Sequence, residues 1–198
     1  MKILLLYIIM LNIKKKPILL FLLLILFPIF VKAQTCQLSN IPASTPTNRF
    51  TINDNGTVFD NRTKLLWQRC IVGQTGEKCA GTPTLFTWQQ ALNVAKNYNL
   101  YGGHAGYNDW RLPNIKELAS IVETQCVNPS LNLEVFPYTA YDSSRGGVVS
   151  AIFLWSSSPS SMIYATDNII KIWINVFYDG TQTFTNLKDS GFIRLVRG

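Results

Sequence analysis

The run Asn108-Asp109-Trp110-Arg111-Leu112-Pro113-Asn114-Ile115-Lys116-Glu117-Leu118 constrains the fold more than any other stretch, because it joins a rigid turn to a helix start. Pro113 fixes its own φ and pushes Leu112 into an extended shape, while Trp110 and Leu112 supply apolar anchors. Asn114 followed three residues later by Glu117 reads as a capping box, so a helix begins here. Ile115, Leu118, Ala119 and Val122 follow at helical spacing and give that helix one apolar face that must pack against something. The plain reading of Trp110, Arg111, Leu112, Pro113, Asn114 and Glu117 is therefore architectural.

The start of the chain sets the compartment. Apolar runs at 3–11 and 17–31 flank Lys14-Lys15-Lys16, and the second run ends in Val31-Lys32-Ala33, the pattern of a signal peptide with cleavage after Ala33. The second run is 15 residues long and carries Pro28, short of the roughly 20 residues that a spanning helix needs. Met10, just before the lysines, is an alternative start. The expectation is an exported protein, periplasmic, secreted or on the cell surface, with membrane contact only through the segment before cleavage.

Export changes how the charge is read. The whole chain carries a formal +7, but five of its 18 Lys and Arg precede Gln34, leaving 13 against 11 acidic residues, a net +2. No basic stripe interleaved with aromatics remains, so nucleic acid is not an expected partner.

All four cysteines, Cys36, Cys70, Cys79 and Cys126, follow the cleavage point, and an even number in an exported chain argues for disulfides. Three pairings are open. Cys70 and Cys79 bracket a short Gly-containing loop, which favours a local bridge and leaves Cys36 for Cys126. No CxxC pair occurs and the one histidine, His104, sits among glycines, so neither a metal nor another cofactor is expected. Ala33-Gln34-Thr35 lacks the small residue that lipid modification requires directly before a cysteine.

Residues 34–48, rich in Ser, Thr and Pro, read as a tether into one domain over 49–198. Phe50 and Ile52, Val58-Phe59 and Leu65-Leu66-Trp67 form a meander punctuated by Asp54-Asn55-Gly56 and Asn61-Arg62-Thr63. Thr87 and Gln90 make a second capping box, with Trp88, Ala91, Leu92, Ala95 and Tyr98 at helical spacing until Gly102 and Gly103. Past Cys126 the chain reads as loop up to a buried strand at 152–155. A longer strand at 170–178 turns at Asp179-Gly180 onto 181–185, and 192–197 ends the chain as a final strand. Two central helices with strands at both ends define an α+β domain whose terminal strands meet in one sheet.

Five segments in order carry a resemblance: Leu66-Trp67-Gln68-Arg69-Cys70, Thr87-Trp88-Gln89-Gln90-Ala91-Leu92, Trp110 through Leu118, Trp155-Ser156-Ser157-Ser158-Pro159 and Ile193-Arg194-Leu195-Val196-Arg197. Together they resemble the Lcl C-terminal domain family, bacterial exported domains of unknown function named after a collagen-like adhesin. The resemblance implies a C-type lectin-like or formylglycine-generating-enzyme-like fold in which the turn at Arg111-Leu112-Pro113 opens a helix. It also implies surface attachment through sulfated glycans. A collagen-like stalk is missing from this sequence, so stalk-driven multivalency does not carry over.

Catalysis finds little support. Formylglycine-generating enzymes use late cysteines to bind copper, and none follows Cys126. Ser156-Ser157-Ser158 lies in no G-x-S-x-G elbow and reads as a strand end turning into a loop. Asp142, Asp167 and Asp179 match no calcium-loop signature, and Asn55 and Asn61 read as turn residues despite their glycosylation pattern. The expected function is thus an adhesin-like binding domain, not an enzyme, recognising sulfated or other anionic glycans. That chemistry asks for exposed cations and aromatic faces, offered by Arg145, Lys171 beside Trp173, and Lys188. The alternative is a structural or assembly partner at the cell surface, including a homo-oligomer.

Overall fold

The computed structural model describes residues 34–137, 153–160 and 170–198, which belong to one unit, Gln34–Gly198. Its elements are β1 (Thr35–Cys36), a 3-10 turn (Thr47–Arg49), β2 (Phe50–Ile52), β3 (Thr57–Asp60), β4 (Leu66–Gln68), α1 (Trp88–Leu100), α2 (Ile115–Ser120), β5 (Cys126–Val127), β6 (Phe153–Pro159), β7 (Lys171–Val176), β8 (Gln182–Asn186) and β9 (Val196–Arg197). The meander β2-β3-β4 accepts β9 at its far edge, so the first and last strands of the domain share a four-stranded sheet. β6, β7 and β8 make a three-stranded sheet, and β1 pairs with β5. Every strand pairing is antiparallel. The α+β class and the pairing of terminal strands are as the sequence implies.

Both helices start where their caps are written. At α1 the Thr87 amide donates to Gln90 Oε1 at 2.8 Å, and at α2 the Asn114 amide donates to Glu117 Oε2 at 2.7 Å while Asn114 Oδ1 accepts from the Glu117 amide at 2.9 Å. Each box satisfies amides that have no partner inside the helix. α2 is shorter than its apolar spacing suggests: Val122 leaves the helix to bridge Leu131. Gly103, at φ 69°, ends the region of α1, and a Cβ there would lie 1.7 Å from the Tyr107 carbonyl oxygen. Only glycine fits that approach.

Two apolar cores flank the sheets. One holds Val58, Trp67, Leu118, Ile121, Phe136, Leu154 and Phe177. The other joins Ala91 and Ala95 of α1 to Trp110, Leu112, Trp155, Ile172 and Leu195. The final segment is strand only at Val196–Arg197, not over 192–197. Its earlier residues bond to both sheets: Phe192 exchanges main-chain bonds with Phe153 and Trp155, while the Ile193 and Leu195 carbonyls accept from the Val72 and Gln68 amides. A segment that changes partners cannot keep one ladder. The strand at 170–178 is likewise trimmed, since Ile170 and Tyr178 are exposed beyond its ends.

Residues 34–48 are fastened to the domain rather than hanging from it. Cys36 is bridged to Cys126, and Glu123, 4 % exposed, accepts from the Ser44 amide, the Thr45 amide and hydroxyl and the Gln125 amide at 2.8 to 3.0 Å. Burial alone would raise the Glu123 carboxyl, but these bonds outweigh it and hold the group below its ordinary range. A depressed carboxyl contributes stability that is present above its unfolded value, about 4.3, and is lost as pH falls through the lower folded value. Acid titration is therefore expected to weaken the domain below about pH 4.3, with part of that sensitivity removed in Glu123→Gln. An acid profile identical in the variant would refute this assignment.

Asn99 closes the loop between α1 and the Trp110 turn. Its Nδ2 donates to the Trp110 carbonyl at 2.7 Å and its Oδ1 accepts from the Trp110 amide at 2.9 Å, as a strand neighbour would. Asn99→Ala leaves both groups of a buried residue unpaired, at an expected cost of about 2 to 4 kcal/mol in chemical denaturation. A loss below about 1 kcal/mol would show that the loop finds other partners.

Candidate binding surfaces

The Trp110–Leu118 turn works as a clamp. Arg111 holds Glu117 through its two terminal guanidinium nitrogens at 2.8 Å, and its main chain exchanges bonds with Val196. Burial pushes the Glu117 carboxyl up, but its bonds to Arg111 and to the Asn114 amide bring it below the ordinary range. On the other side the Pro113 carbonyl accepts from the Ser157 amide and Ser158 Oγ accepts from the Ile115 amide. The turn thus ties α2 to β9 and to β6, with Leu112 and Pro113 buried between them.

The remaining motif tryptophans are equally structural. Trp155 Nε1 donates to the Phe86 carbonyl at 2.7 Å, Trp88 Nε1 to the Ser156 carbonyl at 2.9 Å, and Trp67 meets Phe136 edge-on at 6.5 Å. Ser156-Ser157-Ser158 forms the second half of β6, which ends at Pro159. Ser156 is buried with its hydroxyl donating to the Trp173 carbonyl, so it is no nucleophile waiting at a surface.

The two disulfides are Cys70–Cys79 and Cys36–Cys126, the pairing that loop size favours. Asn55 and Asn61 are turn residues: Asn55 Oδ1 accepts from the Thr57 hydroxyl, and Asn61 Nδ2 donates to the Arg49 carbonyl. Asp179 shapes its hairpin by accepting from the Thr181 amide and hydroxyl. Among the described residues no cluster of His, Cys, Asp and Glu could hold a metal ion.

Of the expected binding residues, the structure gathers two. Lys171 and Trp173 share one face of β7, and Phe184 lies opposite Trp173 in the register with β8. The Lys171 ammonium stands 5.6 Å from the Phe184 ring centroid, and Trp173 meets the same ring edge-on at 5.6 Å. All three are half-buried. Lys188 is exposed two residues past the end of β8. Arg145, with Asp142 and Asp167, lies outside the described residues.

Two concave sites escape a reading of the sequence because their residues are scattered along it. The first follows a cross-strand row, Thr51, Phe59, Leu66 and Arg197, on one face of the four-stranded sheet. With Lys64 and Tyr107 it lines a cavity of about 360 Å³. The Arg197 guanidinium stacks 3.9 Å over Tyr107 and pairs with Asp109 at 2.6 and 3.0 Å. The second is a cleft of about 460 Å³ between the β2-β3 turn, the Cys70–Cys79 loop and the end of α1.

Fold and surfaces together define a disulfide-bonded α+β domain built around a clamped turn, with cation-and-aromatic surface on β7-β8 and a cleft of mixed polar and apolar lining. Its sequence matches the model of the Lcl C-terminal domain over residues 56–197, so the chain belongs to the Lcl C-terminal domain family. No curated protein and no solved structure matches it.

Proposed function

We propose that this is an exported, adhesin-like binding domain that takes sulfated or other anionic glycans on the β7-β8 face. The observation that carries the reading is the grouping of Lys171, Trp173 and Phe184, an ammonium over the Phe184 ring, which Trp173 meets edge-on. Sulfate pairs with the ammonium, and the apolar face of a sugar ring stacks on the aromatics. Lys188 adds a second cation close in sequence to β8. The relation to C-type lectin-like and formylglycine-generating-enzyme-like folds forms part of the same reading, supported by the α+β order and the joined termini. Disulfides fit an oxidising compartment, and among the described residues no helix is long and apolar enough to cross a membrane.

The test is binding of the protein to a sulfated polysaccharide, with its desulfated form as control, in calcium and in chelator. Binding of the sulfated form alone, unchanged by chelator, is expected. Lys171→Ala and Lys188→Ala should each weaken it roughly two- to fivefold at low salt. Equal binding of both polysaccharides would overturn the reading.

A second reading, assembly at the cell surface, is supported by β8. Among the described residues it pairs only with β7, and Gln182-Thr183-Phe184-Thr185-Asn186 carries no charge or proline to block another strand. On that reading the protein self-associates in sedimentation and Thr183→Lys disperses it. A monomer at all concentrations counts against assembly.

A further inference from the structure

The cleft beside the Cys70–Cys79 loop is walled by the Asn53-Asp54-Asn55-Gly56 turn, by Gln74 to Glu77 and by Tyr98. Gln68 and His104 are among its lining residues. Gln68 is 5 % exposed and, among the described residues, its side-chain amide makes no hydrogen bond. His104 Nε2 is shut off from solvent without a partner, close to Gly56, where an added Cβ would sit 3.5 Å from it. Buried polar groups are normally satisfied, so the bare imidazole nitrogen is an exception. The Gln68 amide, on the lining of the cleft, keeps hydrogen-bonding capacity for something that enters.

The charges around the cleft narrow what that is. The Arg69 guanidinium turns away, donating to the carbonyls of Val135 and Glu134 at 3.2 and 3.1 Å. Asp54 and Glu77 remain on the rim, both exposed and, among the described residues, with no ion pair. Two carboxylates repel an anionic ligand and favour an amine. Tyr98, Ile52 and Val72 add apolar wall, while the Gln68 amide both donates and accepts, which suits hydroxyl groups. We propose that this cleft binds a neutral or amine-bearing sugar, one or two rings in size, its volume lying within the range of small-ligand sites. The site is separate from the β7-β8 face, and its ligand differs in charge, so the two stand or fall independently.

Calorimetric titration of the full, disulfide-bonded protein with glucose, N-acetylglucosamine, glucosamine and glucuronate tests the assignment. Saturable binding of the first three is expected, with glucosamine tightest and glucuronate weakest. Gln68→Leu should lower affinity roughly tenfold for all of them, with the melting temperature of the variant showing that the fold is kept. Glu77→Gln, at the exposed rim, should weaken glucosamine alone. Absence of saturable binding to the folded protein, a preference for glucuronate, or affinities unchanged in both variants would overturn the proposal.

Discussion

Replacing Cys36 and Cys126 by serine is expected to lower the unfolding free energy by about 4 to 5 kcal/mol, against about 3 for replacing Cys70 and Cys79. The difference follows from the unfolded chain. The first bridge spans a sequence separation of 90 and the second a separation of 9, and the entropy that a cross-link removes grows with the logarithm of the loop. The longer bridge also secures the β1-β5 pairing and lies beside the Glu123 bonds that fix Ser44 and Thr45. Denaturant unfolding of the two double variants reads the comparison directly. Equal costs, or the reverse order, would contradict it.

The second large effect is at Asp60. This carboxylate is fully buried and accepts from Arg49 Nε at 2.8 Å, from Arg49 Nη2, from the Arg62 amide at 2.9 Å and from the Thr63 hydroxyl at 2.6 Å. Burial opposes its ionisation, but the bonds to Arg49, Thr63 and Arg62 prevail and the carboxyl lies below its ordinary range. Arg49 in turn lies over the Phe50 ring at 4.9 Å. Asp60→Ala strands a nearly buried guanidinium and opens the β3-β4 turn, at an expected cost of about 3 to 5 kcal/mol. Arg49→Met with Asp60→Leu, which removes both charges, should recover much of that loss. A double variant as weak as the single one would place the cost in the turn and not in the stranded charge.

What the sequence reveals and what it hides divide along the distance between partners. The boxes Thr87/Gln90 and Asn114/Glu117 are legible because cap and partner are three residues apart. The disulfide pairing is legible because one candidate loop is short. By contrast, Asp60, Asn99 and Glu123 look like ordinary surface polar residues in the sequence. Their importance comes from Arg49, Trp110 and Ser44, which only the folded chain brings to them. Arg194 is the sharpest case. It is fully buried, donating to the Gln68 and Arg69 carbonyls with its guanidinium 4.8 Å from the Phe136 ring, although its sequence neighbourhood reads as a plain strand.

The same division applies to function. Lys171 and Trp173 are two apart on one strand, so period-two alternation places them on one face from sequence alone. Phe184 joins them only through the β7-β8 register. Gln68, Glu77, Tyr98 and His104 reach one cleft from a strand, a loop, a helix and a turn, and no spacing rule links them.

The proposed capture of a sulfated glycan by Lys171 and Lys188 at the β7-β8 face has its sharpest test in the salt dependence of binding. Affinity for a sulfated polysaccharide, measured across ionic strength, is compared between the protein and the Lys171→Ala, Lys188→Ala double variant. Affinity is expected to fall as salt rises, and the variant to bind more weakly with a shallower salt dependence. Identical curves for the two proteins, or binding insensitive to salt, would contradict it.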